Sequence, residues 1–392
     1  EAGADPNAPL PEGAHPWPAC LTSTVLESNI PLTERLLAGN ASPNYQDPCS
    51  GGVTPLGCAV RVGSWVSCEL LLVCRADPVL PDDKGVTPVV EAARVDNDRL
   101  VELLLSHKVD VNTRDLEGNS VINYAVSHGN FNHFQSAIEA RAEVNTELYA
   151  TGATPLITAA RGAHFQILEE LLLLGADAAH MDKKGESAAF KCARHTRAED
   201  ALELLAENAC DLNARSVTGE TALWIAVNFC HADYVPLLVD LMADPFQAAP
   251  PGQTLLHLAA RNGDAACGLE LLQCGISTRV VDSVGRTPAQ LVKQGTGATG
   301  FLHLLQDHDI HKFAEKGDVP QVWDLVERGV PPDFPDPHTG RTPLWVALNE
   351  GQEDVANLLL NLEVIDLTRT LDGRSYLHTA VFGKSPQLAQ ML

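Results

Sequence analysis

Pairs of leucines recur along this chain at a fixed interval: Leu71-Leu72, Leu104-Leu105, Leu171-Leu172, Leu204-Leu205, Leu237-Leu238, Leu271-Leu272 and Leu358-Leu359. Ahead of each pair stands a short apolar stretch that opens on Thr or Ser, often followed by Pro. These openings fall at Thr54, Thr87, Ser120, Thr154, Ser187, Thr221, Thr254 and Thr287, in steps of 33 or 34 residues, and again at Thr342 and Ser375, 33 apart. A period of that size marks a stack of similar supersecondary units.

Within a unit the pattern predicts two short helices and a turn. The Thr or Ser can N-cap the first helix, and Pro is tolerated next because its missing N–H would have no partner there anyway. A glycine such as Gly263 ends that helix. The leucine pair is expected to face inward from the second helix. A stop such as Gly175-Ala176-Asp177 follows, with glycine suited to the left-handed C-terminal position. Asp-x-x-Gly then turns the chain back at Asp82–Gly85, Asp115–Gly118, Asp182–Gly185 and Asp282–Gly285, making a hairpin-like finger.

With Gly-x-Thr-Pro-Leu at Gly52–Leu56, Gly152–Leu156 and Gly340–Leu344, and Asp-x-Asn ends at Asn112 and Asn213, the chain resembles the ankyrin-repeat family over essentially its whole length. The resemblance implies an all-α solenoid of about a dozen L-shaped units, each two antiparallel helices with a finger at right angles. It also implies a non-catalytic scaffold that binds a partner protein through its concave groove and finger tips. Departures are visible. The family's frequent His after Thr-Pro-Leu stands only at His257 and His378, and the unit at Ser187 lacks both the Pro and the Leu, which marks it as the weakest.

Residues 1–16 read as the end of a preceding repeat and a linker, with Glu1–Asn7 as a closing finger. Residues 17–307 form a first sub-array of about nine repeats, the last truncated. Thr287 and Thr342 lie 55 residues apart where two units need about 66. That places the missing opening at His308 and leaves the ninth unit a short second helix, Phe301–Gln306, and no finger. Residues 308–392 then hold two repeats and a partial third, in which Ser385–Leu392 begins a helix without its stop.

Composition narrows the function. Hydrophobic residues make up 45% of the chain but aromatics only 5%, which favours many thin layers over one thick core. A net charge of −24 argues against a nucleic-acid partner or an anionic membrane surface. No apolar run approaches the roughly 18 residues of a membrane span. Ten cysteines without a CxxC pair point to a reducing, cytoplasmic setting.

Gly295–Gly300 satisfies GxGxxG but lacks the preceding strand that dinucleotide binding needs. His303, His308 and His311 stand near Asp307 and Asp309, yet an expected corner between helices separates them. No Gly-x-Ser-x-Gly, P-loop or HExxH motif occurs, so no catalytic, cofactor or metal residue is expected and the chain is read as a non-enzyme.

One pattern goes further. Seven residues after each opening, where the first helix ends, stand Arg61, Arg94, Ser127, Arg161, Arg194, Asn228, Arg261 and Gln294, five arginines in eight units; the position after each holds Val62, Val95, His128, Gly162, His195, Phe229, Asn262 and Gly295. The expected partner-binding residues are therefore Arg61, Arg94, His128, Arg161, Arg194, His195, Phe229, Arg261 and Asn262, facing an acidic or phosphorylated segment in the groove. Two other origins of the row stay open: the helix dipole favours cations at this end, and the arginines could pair with acids of neighbouring units. The isolated array is expected to be monomeric. Alternative roles are a regulatory or substrate-recruiting segment of a larger multidomain enzyme, and a membrane-cytoskeleton or mechanical tether.

Overall fold

The computed structural model describes residues 20–248, 252–292, 298–327, 330–336, 339–362, 365–371 and 373–382. The expected finger Glu1–Asn7, Gln294, Gly295 and Gly297, and the segment Ser385–Leu392 lie outside them. Among the described residues are 23 α-helices, with one two-stranded antiparallel ladder, Thr370–Leu371 on Arg374–Ser375. The fold is all-α, built of paired helices, as the periodicity predicts. No helix among the described residues is long and apolar enough to cross a membrane.

The chain divides into two compact units, Glu1–Cys192 with Glu207–Cys210, and Ala193–Ala206 with Asp211–Leu392. In the first, the helix pairs are Cys20–Leu26 with Ile30–Ala38, Pro55–Val62 with Trp65–Val73, Pro88–Arg94 with Asp98–Ser106, Val121–His128 with Phe131–Glu139, and Pro155–Gly162 with Phe165–Leu173; Ala188–Cys192 follows. Each first helix packs on the next first helix. The second unit carries all but the last residue of Glu199–Glu207, then Ala222–Asn228 with Tyr234–Asp240, Leu255–Asn262 with Ala265–Gln273, Pro288–Leu291 with Ala298–Asp307, Ile310–Lys316 with Val319–Glu327, Pro343–Glu350 with Glu353–Leu360, and Tyr376–Phe382.

Local chemistry explains the repeat. Thr54 Oγ1 accepts from Gly57 N at 3.1 Å, and Thr154, Thr221 and Thr342 cap their helices in the same way. At Ser120 and Thr254 the third residue bonds back, giving capping boxes with Asn123 and His257. The Asp-x-x-Gly finger turns are tied by their aspartates: Asp82 Oδ1 accepts from Lys84 N and Val86 N, both at 2.9 Å, and Asp115, Asp182 and Asp282 do likewise. In the first unit the fingers also bond to one another. Asp83 N donates to Gly51 O, Leu116 N to Lys84 O, Tyr149 N to Glu117 O and Lys183 N to Thr151 O, at 2.8–3.1 Å. Asn44, Asn112 and Asn145 clamp neighbouring repeats there by accepting from the backbone N–H of Asp77, Glu143 and Asp177. Asn213 does the same for Asp244 in the second unit.

Two expectations need correction. The leucine pairs do not both turn inward: Leu71, Leu104, Leu205, Leu238 and Leu359 are buried while their partners are half-exposed, and both members are buried only at Leu171-Leu172 and Leu271-Leu272. A helix packed on one side has room for one residue of an adjacent pair at the centre of its buried stripe. The left-handed stop after the second helix is also not reserved for glycine. Beside Gly175 and Gly275, it is taken by Arg75, Lys108, Arg141, Ala209 and Met242 at φ of 60–72°. The following N–H reaches back to the helix, as from Ala76 to Leu71 O at 2.8 Å, and offsets the steric penalty of about 1–2 kcal/mol.

The short spacing after Thr287 is explained directly. Helix Ala298–Asp307 runs into helix Ile310–Lys316 across two residues, with no finger between them. Asp309 Oδ1 caps the second of these from His311 N at 3.1 Å. The same carboxylate takes a two-pronged bond from Arg279, Nε to Oδ1 at 3.0 Å and Nη2 to Oδ2 at 2.7 Å, while Arg279 Nη1 bonds Asp336 of the next finger. Arg279 thus spans the place where a finger is missing. Behind it, Gly268 faces the buried Phe301, and a Cβ there would sit 2.6 Å from the Phe301 ring. Gly268→Ala should therefore destabilise the second unit by about 1–3 kcal/mol, although alanine favours the helix by about 1. A thermal melt checks the sign.

Candidate partner-binding surface

In the first unit, fingers and first helices enclose an open cleft of ≈ 420 Å³, lined by Arg61, Asp82, Lys84, Val86, Glu91, Arg94, Asp115, Leu116, Glu117 and Tyr124. Its floor is acidic. The side chains of Asp82 and Glu91 are 6% and 3% exposed, whereas those of Arg61 and Arg94 are 34% and 46% exposed. Arg61 Nε donates to Glu91 Oε1 and Nη2 to Asp82 Oδ2, both at 2.9 Å. Arg94 grips Glu91 with both prongs, Nη2 to Oε1 at 2.7 Å and Nε to Oε2 at 2.9 Å. That bond holds the Arg94 guanidinium above its usual pKa, against the opposing effect of burial. Among the described residues neither arginine makes a hydrogen bond through Nη1, and Lys84 and Leu116 stand exposed at the rim.

Tyr124 completes the wall. Its hydroxyl donates to Asp115 Oδ2 at 2.9 Å, and burial together with that bond pushes the phenol well above its ordinary pKa. Its ring stacks on His128, whose Nδ1 is 3.7 Å from Asp96 Oδ1. Arg161 is exposed at the corresponding helix end and also has a partner.

In the second unit the remaining row residues have mixed roles. Arg194 and His195 offer their carbonyls to His231 Nε2 at 3.2 Å and to the Tyr234 hydroxyl at 2.7 Å. Phe229 is 47% exposed and stacks on His231 with centroids 6.4 Å apart. Asn262 Nδ2 points back to the carbonyls of Val227 and Asn228 at 3.4 and 3.5 Å, tying two repeats together. Arg261 is exposed and, among the described residues, makes no ion pair.

A family model described as ankyrin repeats in three copies matches in overlapping windows from residue 21 to 282 and again from 310 to 392. The chain belongs to the ankyrin-repeat family. Ankyrin repeats generally mediate protein–protein interactions, so protein partners are implied in general. The interruption between the matched windows contains the unit without a finger. Over 148 residues the array is 30% identical to neurogenic locus notch homolog protein 1 of Danio rerio, covering 38% of this chain and 6% of that protein. Over 312 residues it is 25% identical to rabankyrin-5 of Mus musculus, covering 65% of this chain and 25% of that protein. The chain thus spans a quarter or less of the length of these relatives.

The residues missed from sequence share one ankyrin slot, four after the opening of the unit, where a first helix normally points an apolar side chain inward. Glu91, Tyr124 and Lys191 occupy it, and each reaches a neighbour beside a finger turn. Lys191 is buried and pairs with Asp182 at 3.2 Å and with Glu186. It sits in the repeat at Ser187, whose first helix has only five residues. A charged or phenolic residue in an apolar slot was the available signal. His311 was also missed: its Nε2 meets Arg341 O at 3.0 Å, as His257 Nε2 meets Arg286 O at 2.8 Å, so it plays the part of the family's histidine. His308 Nδ1 meets its own helix at Leu304 O. Trp224 is buried as packing, while Trp345 is half-buried with the Arg341 guanidinium 4.2 Å over its ring.

Burial pushes the thiol of Cys58 up to about 11 and those of Cys68 and Cys192 up to about 12, so at neutral pH all three are protonated filler. No two of the described cysteines form a disulfide.

Proposed function

We propose that this ankyrin array is a non-enzymatic scaffold of the cell interior that binds an extended acidic or phosphorylated segment of a partner protein across the cleft of its first unit. The observation that carries this reading is the layering of charge. The acids Asp82, Glu91 and Asp115 lie beneath, while Arg61, Arg94 and Lys84 stand at the opening, with the exposed Glu117 as the one acid among the described lining residues that is not covered, and neither arginine uses Nη1 among the described residues. A guanidinium anchored from behind is already oriented, so less side-chain freedom is lost when its remaining N–H groups meet a carboxylate or phosphate. Leu116 offers an apolar contact beside them.

Fluorescence anisotropy with labelled acidic and phosphorylated peptides, and with the same peptides bearing Gln for Glu and unmodified Ser, tests it. The charged peptides should bind more tightly, and the difference should shrink as salt rises. Lys84→Glu, at an exposed side chain outside the core, should weaken their binding about two- to fivefold, the size of one exposed charge contact. Equal binding of neutral peptides would rule the reading out.

A further inference from the structure

Next to the cleft, three side chains of the first unit converge where the first helix turns into the second in two neighbouring helix pairs. Asp96 lies in the turn that follows helix Pro88–Arg94, in the left-handed conformation at φ 59°. Asp98 opens helix Asp98–Ser106, and His133 comes from the first turn of helix Phe131–Glu139 in the next repeat. His133 Nδ1 is 3.3 Å from Asp96 Oδ1, and Nε2 is 3.0 Å from Asp98 Oδ1. One ligand atom from each residue lies within 4.8 Å of the others.

We propose that Asp96, Asp98 and His133 form a site for a divalent ion of the zinc class, joining two consecutive repeats. The acids alone would not carry this. His133 does: its side chain is 1% exposed, and both ring nitrogens are buried and, among the described residues, make no hydrogen bond, although they face the two carboxylates. An imidazole so placed has its nitrogen lone pair available, which suits a metal ligand. A single ion takes one of the two ring nitrogens, so the ligand set is that nitrogen with one oxygen from each carboxylate, all within 4.8 Å of one another; bonds of about 2.0–2.2 Å put tetrahedral ligand atoms about 3.3–3.6 Å apart, so the carboxylates close in on the ion as it binds. One imidazole with two carboxylates selects zinc and its transition-metal neighbours over calcium or magnesium, which prefer oxygen alone.

The surroundings fit. Asn130 Nδ2 donates to Asp96 Oδ1 and Asp98 Oδ1, both at 2.8 Å, and Asn132 Nδ2 donates to Asp98 Oδ2 at 3.1 Å. These bonds orient the carboxylates as outer contacts do around bound metals, and a carboxylate oxygen with two lone pairs can accept an amide and hold an ion together. His128, one-third exposed with Nδ1 3.7 Å from Asp96 Oδ1, is placed to supply a fourth ligand in exchange for water. The two aspartates are half-open to solvent, which gives the ion a way in.

The test is calorimetric titration of the full chain, stripped by chelator, with zinc chloride at neutral pH, alongside thermal melts. One ion per chain should bind and raise the melting temperature. Asp98→Asn and Asp96→Asn should each weaken binding at least about tenfold, and both changes lie at partly exposed positions that do not threaten folding. His133→Gln should abolish binding. Cobalt substitution should give ligand-field bands without thiolate charge transfer. No binding, binding unchanged in both aspartate variants, or a thiolate band would each overturn the proposal. So would a stability gain that follows His133 and pH but not metal, since His133 would then be an imidazolium bridging two acids.

Discussion

Arg279→Met should lower the stability of the second unit by about 2–4 kcal/mol, because one guanidinium stands in for a whole finger. Breaking a buried ion pair from one side costs about 3–5 kcal/mol, since the abandoned charge stays where it is. Here Asp309 and Asp336 would lose their guanidinium at 18% and 9% side-chain exposure but keep bonds from His311 N and Thr339, and Arg279 itself is 29% exposed, so those partners and solvent screening take off part of that figure. Arg279→Lys should recover less than half. A single ammonium cannot reproduce two prongs on Asp309 and a third bond to Asp336. Urea melts with hydrogen exchange on helix Ile310–Lys316 provide the readout, and unchanged exchange there would show that packing alone closes the gap.

The same cluster sets an acid limit. Burial pushes the Asp309 carboxyl up, but the bonds from His311 and Arg279 more than offset it and leave the group well below the ordinary carboxylate range. Asp336 is lowered too, by Thr339 and Arg279 against burial. A folded pKa below the unfolded value of about 3.9 means the contribution is fully present above roughly pH 4 and is lost as pH falls through the folded value. Arg279→Met should flatten that limb of the stability profile.

The stack was legible because its information is local. Asp turns and most Thr caps act within a few residues and appear where the period put them, whereas Thr87 opens its helix without a side-chain cap and bonds Thr113 instead. What resisted reading depends on neighbours about 30 residues away. His311 bonds a carbonyl 30 positions on, and Arg61 meets an acid 30 positions on. No single unit displays either pairing. The arginine row was visible in the sequence, but its counter-ion was hidden three residues before Arg94 in a helix expected to be apolar there. Of the origins left open, pairing with acids of a neighbouring repeat holds for Arg61, while Arg94 pairs with Glu91 of its own helix.

Glu91→Gln separates pairing within the array from binding a partner. The carboxylate is 2% exposed and accepts three charge-assisted bonds, one from Arg61 and two from Arg94. The amide keeps the shape but loses the charge and turns an N–H₂ toward a guanidinium. Bonds to charged groups contribute about 1.5–3 kcal/mol each, and the arginines, a third to a half exposed, regain part of that from water, so the first unit should lose about 2–4 kcal/mol. Affinity for an acidic peptide should move the other way. Two guanidiniums without their internal counter-ion have more N–H groups and more uncompensated charge to offer, so binding should tighten severalfold and become steeper in salt. Asp82 still anchors Arg61, so Arg94→Gln added to Glu91→Gln should remove most of the gain. A fall in stability with affinity unchanged would assign the arginines to the array's own architecture and leave the cleft to another ligand.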